Sequence, residues 1–299
     1  MEIWIPITIA AAFVQNLRTA LQKYLTGEMS ATAATYARFC YAVPFAWVYV
    51  LLLTQVGDIA RPEVSWNFAL YCVVGGSAQI LGTAFLIHLF SYRNFAVGTA
   101  YSKTEAMQTA IFGILILGEP LGLFAMLGIL VSFVGVVTLS VDRQKGILES
   151  LVSEWSSQPA RLGIGSGACF AVAAVCYRGA ALSIYSEGFV MAAAYTLAWV
   201  TLFQTIVMGI YIALREPGEL ILLLRAWPRA MWVGVAGMTA SAGWFTAMAI
   251  QKAAYVRALG QVELIFTFIA SLVIFRERST PLEIGGVVLI VAGILLLVQ

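Results

Sequence analysis

A chain of 299 residues in which 61% of side chains are hydrophobic and only 11% are charged is not a water-soluble domain, where about a quarter of residues carry charge. A mean hydropathy of +0.91 assigns it to the bilayer. The net charge of +2 is uninformative about nucleic acid, and no basic patch is long enough to argue for that partner; Cys40, Cys72, Cys169 and Cys176 sit in apolar stretches with no CxxC or histidine beside them, which predicts neither disulfides nor a metal site.

About 20 apolar residues cross a bilayer as a helix, and lipid leaves backbone polar groups no other partner. Ten such runs follow one another: 3–22, 31–54, 66–90, 96–118, 121–141, 161–182, 188–214, 228–251, 258–275 and 280–298. The first begins MEIWIP, without the basic start of a signal peptide, so it reads as a span. Turns fall at Gly57-Asp58, Glu119-Pro120 and Glu216-Pro217-Gly218. The linker 142–160 places Ile147, Leu148, Leu151, Val152 and Trp155 on one helical face, which suits either a helix in the membrane interface or a solvated connection.

A gapless shift of 158 residues lays 100–141 on 258–299. It matches Ala100 with Ala258, Glu105 with Glu263, Thr109 with Thr267, Glu119 with Glu277, Gly128 with Gly286 and Gly135 with Gly293. The chain therefore reads as an all-α membrane protein of ten transmembrane helices in two five-helix repeats, 1–141 and 161–299, joined by the linker 142–160. An odd number of spans per repeat forces the two into opposite orientations, the arrangement of many secondary transporters, with a solute site near midplane.

The segments LILGEPLGLFAMLGILVSFVGVV (115–137) and VIFRERSTPLEIGGVVLIVAGILLL (273–297) resemble the repeat endings of EamA-type permeases in the drug/metabolite transporter superfamily. The resemblance implies an alternating-access carrier with a cavity lined mainly by spans 1, 3, 4, 6, 8 and 9, while spans 5 and 10 serve as scaffold. Many members carry a proline where this chain has Lys103-Thr104-Glu105 and Gln261-Val262-Glu263, which singles those positions out.

Charges inside spans cost about 2.5–3.5 kcal/mol each on insertion scales and are functional candidates by default. Arg18, Arg38, Lys103 and Arg178 are the basic ones, and Glu105 and Glu263 the clearest acidic ones. Lys103 stands roughly 10 Å into span 4 at 1.5 Å per residue. Glu105 shares a helical face with Gln108 and Thr109, and Glu263 with Thr267. The expected roles are a proton or cationic group on Glu105 and Glu263, and a carboxylate on Arg18, Arg38 and Lys103. Ion pairing between helices, for instance Arg18 with Glu105, is the structural alternative. Gln261 and the lone His88 are further polar candidates for the pathway, and Tyr36, Tyr101, Tyr195 and Trp244 for an aromatic wall. The glycines at 75–76, 163–167, 234 and 237 suit close helix approach.

Neither a Walker motif nor a nucleophile elbow occurs, so no enzyme activity and no cofactor is expected. The function expected is secondary active transport of a small polar organic metabolite, an amino acid or an organic anion. Proton-coupled efflux of cationic or aromatic drugs and a non-transporting scaffold are the alternatives. Expected partners are the solute, membrane lipids and a second copy of the chain as a homodimer. Lys and Arg favour the loops after odd-numbered spans, which sets those loops in the cytoplasm of a plasma-membrane protein and both termini outside; members of the resembled family more often have both inside.

Overall fold

The computed structural model describes residues 2–89, 101–140, 157–185, 188–273 and 280–299. Thirteen helices occur among them: α1 Trp4–Leu25, α2 Ala31–Cys40, α3 Ala42–Gln55, α4 Trp66–Leu89, α5 Glu105–Leu117, α6 Leu123–Ser140, α7 Gln158–Leu182, α8 Phe189–Arg215, α9 Pro217–Arg225, α10 Trp227–Ile250, α11 Ala253–Leu259, α12 Val262–Val273 and α13 Pro281–Leu297. Among the described residues no strand is present.

Five of these are long and apolar enough to cross a membrane, with α2 and α3 counted as one rod over Ala31–Gln55, and α5, α6 and α13 are shorter apolar helices. The break between α2 and α3 follows from Pro44, which lacks an N–H and crowds the carbonyl four residues back, at Cys40. Three expectations change. The stretch after Glu216 is not a plain turn, because Pro217 at the first helical position starts α9. Span 9 is not one helix: it divides into α11 and α12. The linker's last residues belong to α7, which starts at Gln158, while residues 141–156, with the expected interfacial face, lie outside the described residues.

The chain divides into two compact units that do not coincide with the sequence repeats. Unit 1 is Met1–Ser77 with Cys176–Gln251, and unit 2 is Ala78–Val175 with Lys252–Gln299. The boundary falls within α4 after Ser77 and within α7 after Val175.

In unit 1, α1 runs along α10, and α8 packs on α2, α3 and α10. Alanines make the seams thin: Ala33, Ala34 and Ala37 of α2 cluster with Leu223 of α9, Ala226 between α9 and α10, and Ala230 and Val233 of α10. Ser30 caps α2 by accepting from the Ala33 N–H at 3.2 Å. It also donates its hydroxyl to Glu216 and its backbone N–H to Glu219, both at 2.9 Å, and so ties α9 to the start of α2.

In unit 2, α6 and α13 pack antiparallel along a glycine seam. A Cβ on Gly128 would lie 2.6 Å from the Gly293 carbonyl oxygen, and one on Gly135 would lie 2.7 Å from that of Gly286. Only glycine allows backbones this close. The four glycines are the positions that the 158-residue shift equates, and they meet crosswise. Midway between them, Ser132 Oγ donates to the Ile290 carbonyl at 3.5 Å, again across a separation of 158. A capping box of Thr280 and Glu283, with Pro281 at the first turn, starts α13.

Candidate functional site

The intramembrane charges fall into two groups, one in each unit. In unit 2, both acidic side chains begin helices. The backbone ahead of Glu105 tightens to an i→i−3 bond from Thr104 N to Tyr101 O at 3.1 Å. The same tightening recurs ahead of Glu263, where Gln261 N bonds Ala258 O and Glu263 N bonds Gly260 O, each at 3.1 Å. Such short 3₁₀ stretches within a helical run mark hinges and strained sites. The two tight turns fall at the same place in the repeat.

Across these turns the charges pair crosswise. Lys103 Nζ donates to Glu263 Oε1 at 2.5 Å, and Arg257 pairs with Glu105. Each ion pair joins a residue of the first repeat to one of the second. Glu105 is 7% exposed, so leaving it charged without Arg257 would be costly. Within unit 2, Lys103 and Glu105 are thus engaged by Glu263 and Arg257. Arg257, which is not among the sequence candidates, is the partner that was missed. Its signal was present, because it precedes Glu263 by under two helical turns beside the second tight turn.

The polar neighbours sort by what they touch. Thr109 is fully buried and donates to the Glu105 carbonyl at 2.7 Å, and Thr267 donates to that of Glu263 at 3.0 Å. Both hydroxyls are used within their own helix. Gln108 donates to Thr104 Oγ1 at 2.7 Å and to the Ile164 carbonyl at 3.4 Å, while its Oε1 has no hydrogen-bond partner among the described residues. Gln261 is likewise left with a buried, unpartnered Oε1. These two amide oxygens are acceptors available to a water or a solute donor. Tyr101 contributes its carbonyl to the turn, accepting from the Thr104 hydroxyl at 2.6 Å. His88 is exposed near the end of α4. Lys252, at the start of α11, donates to the Pro120 carbonyl at 2.5 Å.

In unit 1 the charges are basic. Arg178 is buried and caps the end of α10, donating to the carbonyls of Met248 at 2.7 Å and Gln251 at 2.8 Å. A cation at a helix C-terminus also meets the favourable end of the macrodipole. Arg18 and Arg38 each stand about two turns inside the end that joins α1 to α2, roughly 10 Å in at 1.5 Å per residue. Both stems rest on Gly237 of α10: a Cβ there would lie 3.0 Å from Arg38 Cγ and 3.6 Å from Arg18 Cδ. One turn from Arg18, Gln15 Oε1 accepts from Trp244 Nε1 at 3.0 Å. Tyr177 donates to the Gly75 carbonyl at 3.2 Å, accepts from Gln204 at 3.4 Å, and lies within electrostatic reach of Arg38. Of the other residues considered for an aromatic wall, Tyr195 clusters with Trp47, Phe68 and Trp199, and Tyr36 lies against Gly209.

A family model matches residues 2–141 and again 161–299, and its description is the EamA-like transporter family. The chain belongs to the EamA-like transporter family. This family lies in the drug/metabolite transporter superfamily, and the assignment points to a multi-pass membrane transporter rather than an enzyme. One solved structure, titled "Crystal structure of protein", is similar to this EamA-like chain with a TM-score of 0.74 at 15% identity, over 99% of this chain and 98% of that one. At that identity the likeness speaks for the fold alone. A search of curated proteins returns no relative.

Proposed function

We propose that this EamA-like protein is a secondary active carrier that moves a small polar organic metabolite, an amino acid or an organic anion, by alternating access. The observation that carries the reading is the crossed pairing in unit 2. Two helical runs tighten at equivalent places, and Lys103–Glu263 and Arg257–Glu105 tie one repeat to the other there. A carrier needs a polar, rearrangeable centre at the seam of two oppositely oriented repeats, and ion pairs at hinge-like turns supply one. The antiparallel meeting of Gly128 with Gly293 and of Gly135 with Gly286 supports the inverted reading of repeats 1–141 and 161–299, with α6 and α13 as scaffold.

The test is solute flux in proteoliposomes. Amino acids, organic anions and organic cations are offered under imposed pH and voltage gradients, with wild type compared with Glu105→Gln and Lys103→Ala. Saturable flux of one charge class, lost in a folded variant, supports the carrier. Absence of flux for every class, with variants that only lose thermal stability, would leave the charges structural and favour the scaffold. Orientation is proposed from the loop charges, with odd-numbered loops in the cytoplasm. Reporter fusions at both termini that score cytoplasmic would reverse it.

A further inference from the structure

The two units differ in how their charges are met. Among the described residues of unit 2, the intramembrane bases and acids pair one to one. In unit 1 the described acidic residues, Glu2, Glu28, Asp58, Glu63, Glu216 and Glu219, all lie in loops or at helix ends. Glu28 pairs with Arg229, and Glu216 and Glu219 bind Ser30. Arg178 is satisfied by two carbonyls. Arg38 has no such partner. Its charged neighbour is Arg18, a like charge, and its other neighbours are the Tyr177 phenol and the face of Phe39, with the guanidinium carbon 4.4 Å from the ring centroid. No carboxylate lies within ion-pairing distance of Arg38 among the described residues. Arg38 as a whole is half-buried within the helix packing.

A guanidinium carries five donors in a fixed fork that fits a carboxylate bidentately. The stems of Arg18 and Arg38 meet over one glycine, and with no described acid beside it Arg38 keeps a charge that an anion can meet. We infer that Arg18 and Arg38, seated on Gly237, form a binding site for an organic carboxylate that carries no ammonium group. The site rests on the carrier reading above, whose solute it narrows from amino acid or organic anion to the anion. The exclusion of zwitterions has its own basis. Among the described residues of unit 1 no carboxylate stands near Arg38 to offset the desolvation of an ammonium group. Gly237 sets the spacing, because any side chain there would occupy the ground of both stems.

The experiment is equilibrium binding by calorimetry on the full chain in detergent, which needs no flux. Benzoate, succinate and phenylalanine are titrated into wild type, Arg38→Gln and Arg38→Lys, each first checked for a monodisperse peak. Wild type should bind benzoate or succinate saturably and phenylalanine at least tenfold more weakly. Arg38→Gln should weaken carboxylate binding by roughly tenfold to a hundredfold, the usual worth of a charged hydrogen bond, and Arg38→Lys should recover part of it. With no anion present, Arg38→Gln should melt at or above the wild-type temperature, since it relieves a like-charge contact, whereas a packing residue would lower it. Binding that Arg38→Gln leaves unchanged, equal binding of phenylalanine, or no carboxylate binding to folded wild type would each overturn the site. Anion binding without flux in proteoliposomes would instead overturn the carrier and leave the site standing. Flux that ignores Arg38 would do the reverse.

Discussion

Three ion pairs of this protein form a burial series, and their coupling energies should follow it. Side-chain exposures are 20% and 9% for Arg257 and Glu105, 21% and 17% for Lys103 and Glu263, and 55% and 30% for Arg229 and Glu28. Removing one member of a buried pair costs about 3–5 kcal/mol, because the other charge is stranded. A surface pair is worth about 0–1 kcal/mol. Arg257→Met should therefore cost about 3 kcal/mol or more, Lys103→Met about 1–2 kcal/mol given the wetter Glu263, and Arg229→Met under about 1 kcal/mol. The decisive variant is the double one. Glu105→Gln placed on Arg257→Met removes the stranded charge and should restore much of the loss, which is the mark of a desolvated pair. The assay is a double-mutant cycle for each pair, with unfolding driven by a denaturing detergent and followed by circular dichroism. Equal costs for all three bases, or no rescue by Glu105→Gln, would refute the ranking and with it the view that the unit 2 charges sit in a dry centre.

The glycine seam gives a sharper steric test: Gly293→Leu should abolish a stable fold or lower the melting temperature by many degrees, while Gly113→Ala, where a Cβ meets nothing within 4 Å, should hold or gain up to about 1 kcal/mol from helix propensity; differential scanning fluorimetry separates the two. Arg178→Met should cost about 2–3 kcal/mol by leaving the Met248 and Gln251 carbonyls without their donor, read by the same unfolding assay. Ser30→Ala should cost about 1 kcal/mol through loss of the α2 cap, with a larger loss if Glu216 is thereby unseated, and Ser30→Thr should retain most of the stability.

The apolar runs were legible because a bilayer admits a single backbone solution, so length and hydropathy located the five helices long enough to cross a membrane. The repeat was legible for a related reason. Glycines at 128, 135, 286 and 293 are held by backbone contact, and a residue that nothing else can replace leaves an offset that survives elsewhere in weak identity. The partners of the charges were not legible. Glu105 could meet Arg18 or Arg257, and nothing in the spacing chooses, because that choice is made by how distant helices dock. The division of span 9 was missed for a similar reason. Ala253–Val273 reads as one apolar helical run apart from Gly260, and the i→i−3 bonds from Gln261, Glu263 and Leu264 break it just after that glycine. Nor was it legible that the Thr109 hydroxyl, on the polar face, donates to the Glu105 carbonyl of its own helix.

The antiparallel seam of α6 and α13 also has a consequence for biosynthesis. Its two sides are separated by 158 residues, and α13 follows every other described helix in the chain. During insertion, α6 must wait in the membrane with the groove at Gly128, Ser132 and Gly135 covered by lipid or by the insertion machinery until α13 arrives. Closure of unit 2 is therefore a late, post-insertion event. A nascent chain stopped just before Pro281 would present an uncovered glycine strip to the quality-control proteases of the membrane, however completely its earlier helices had formed.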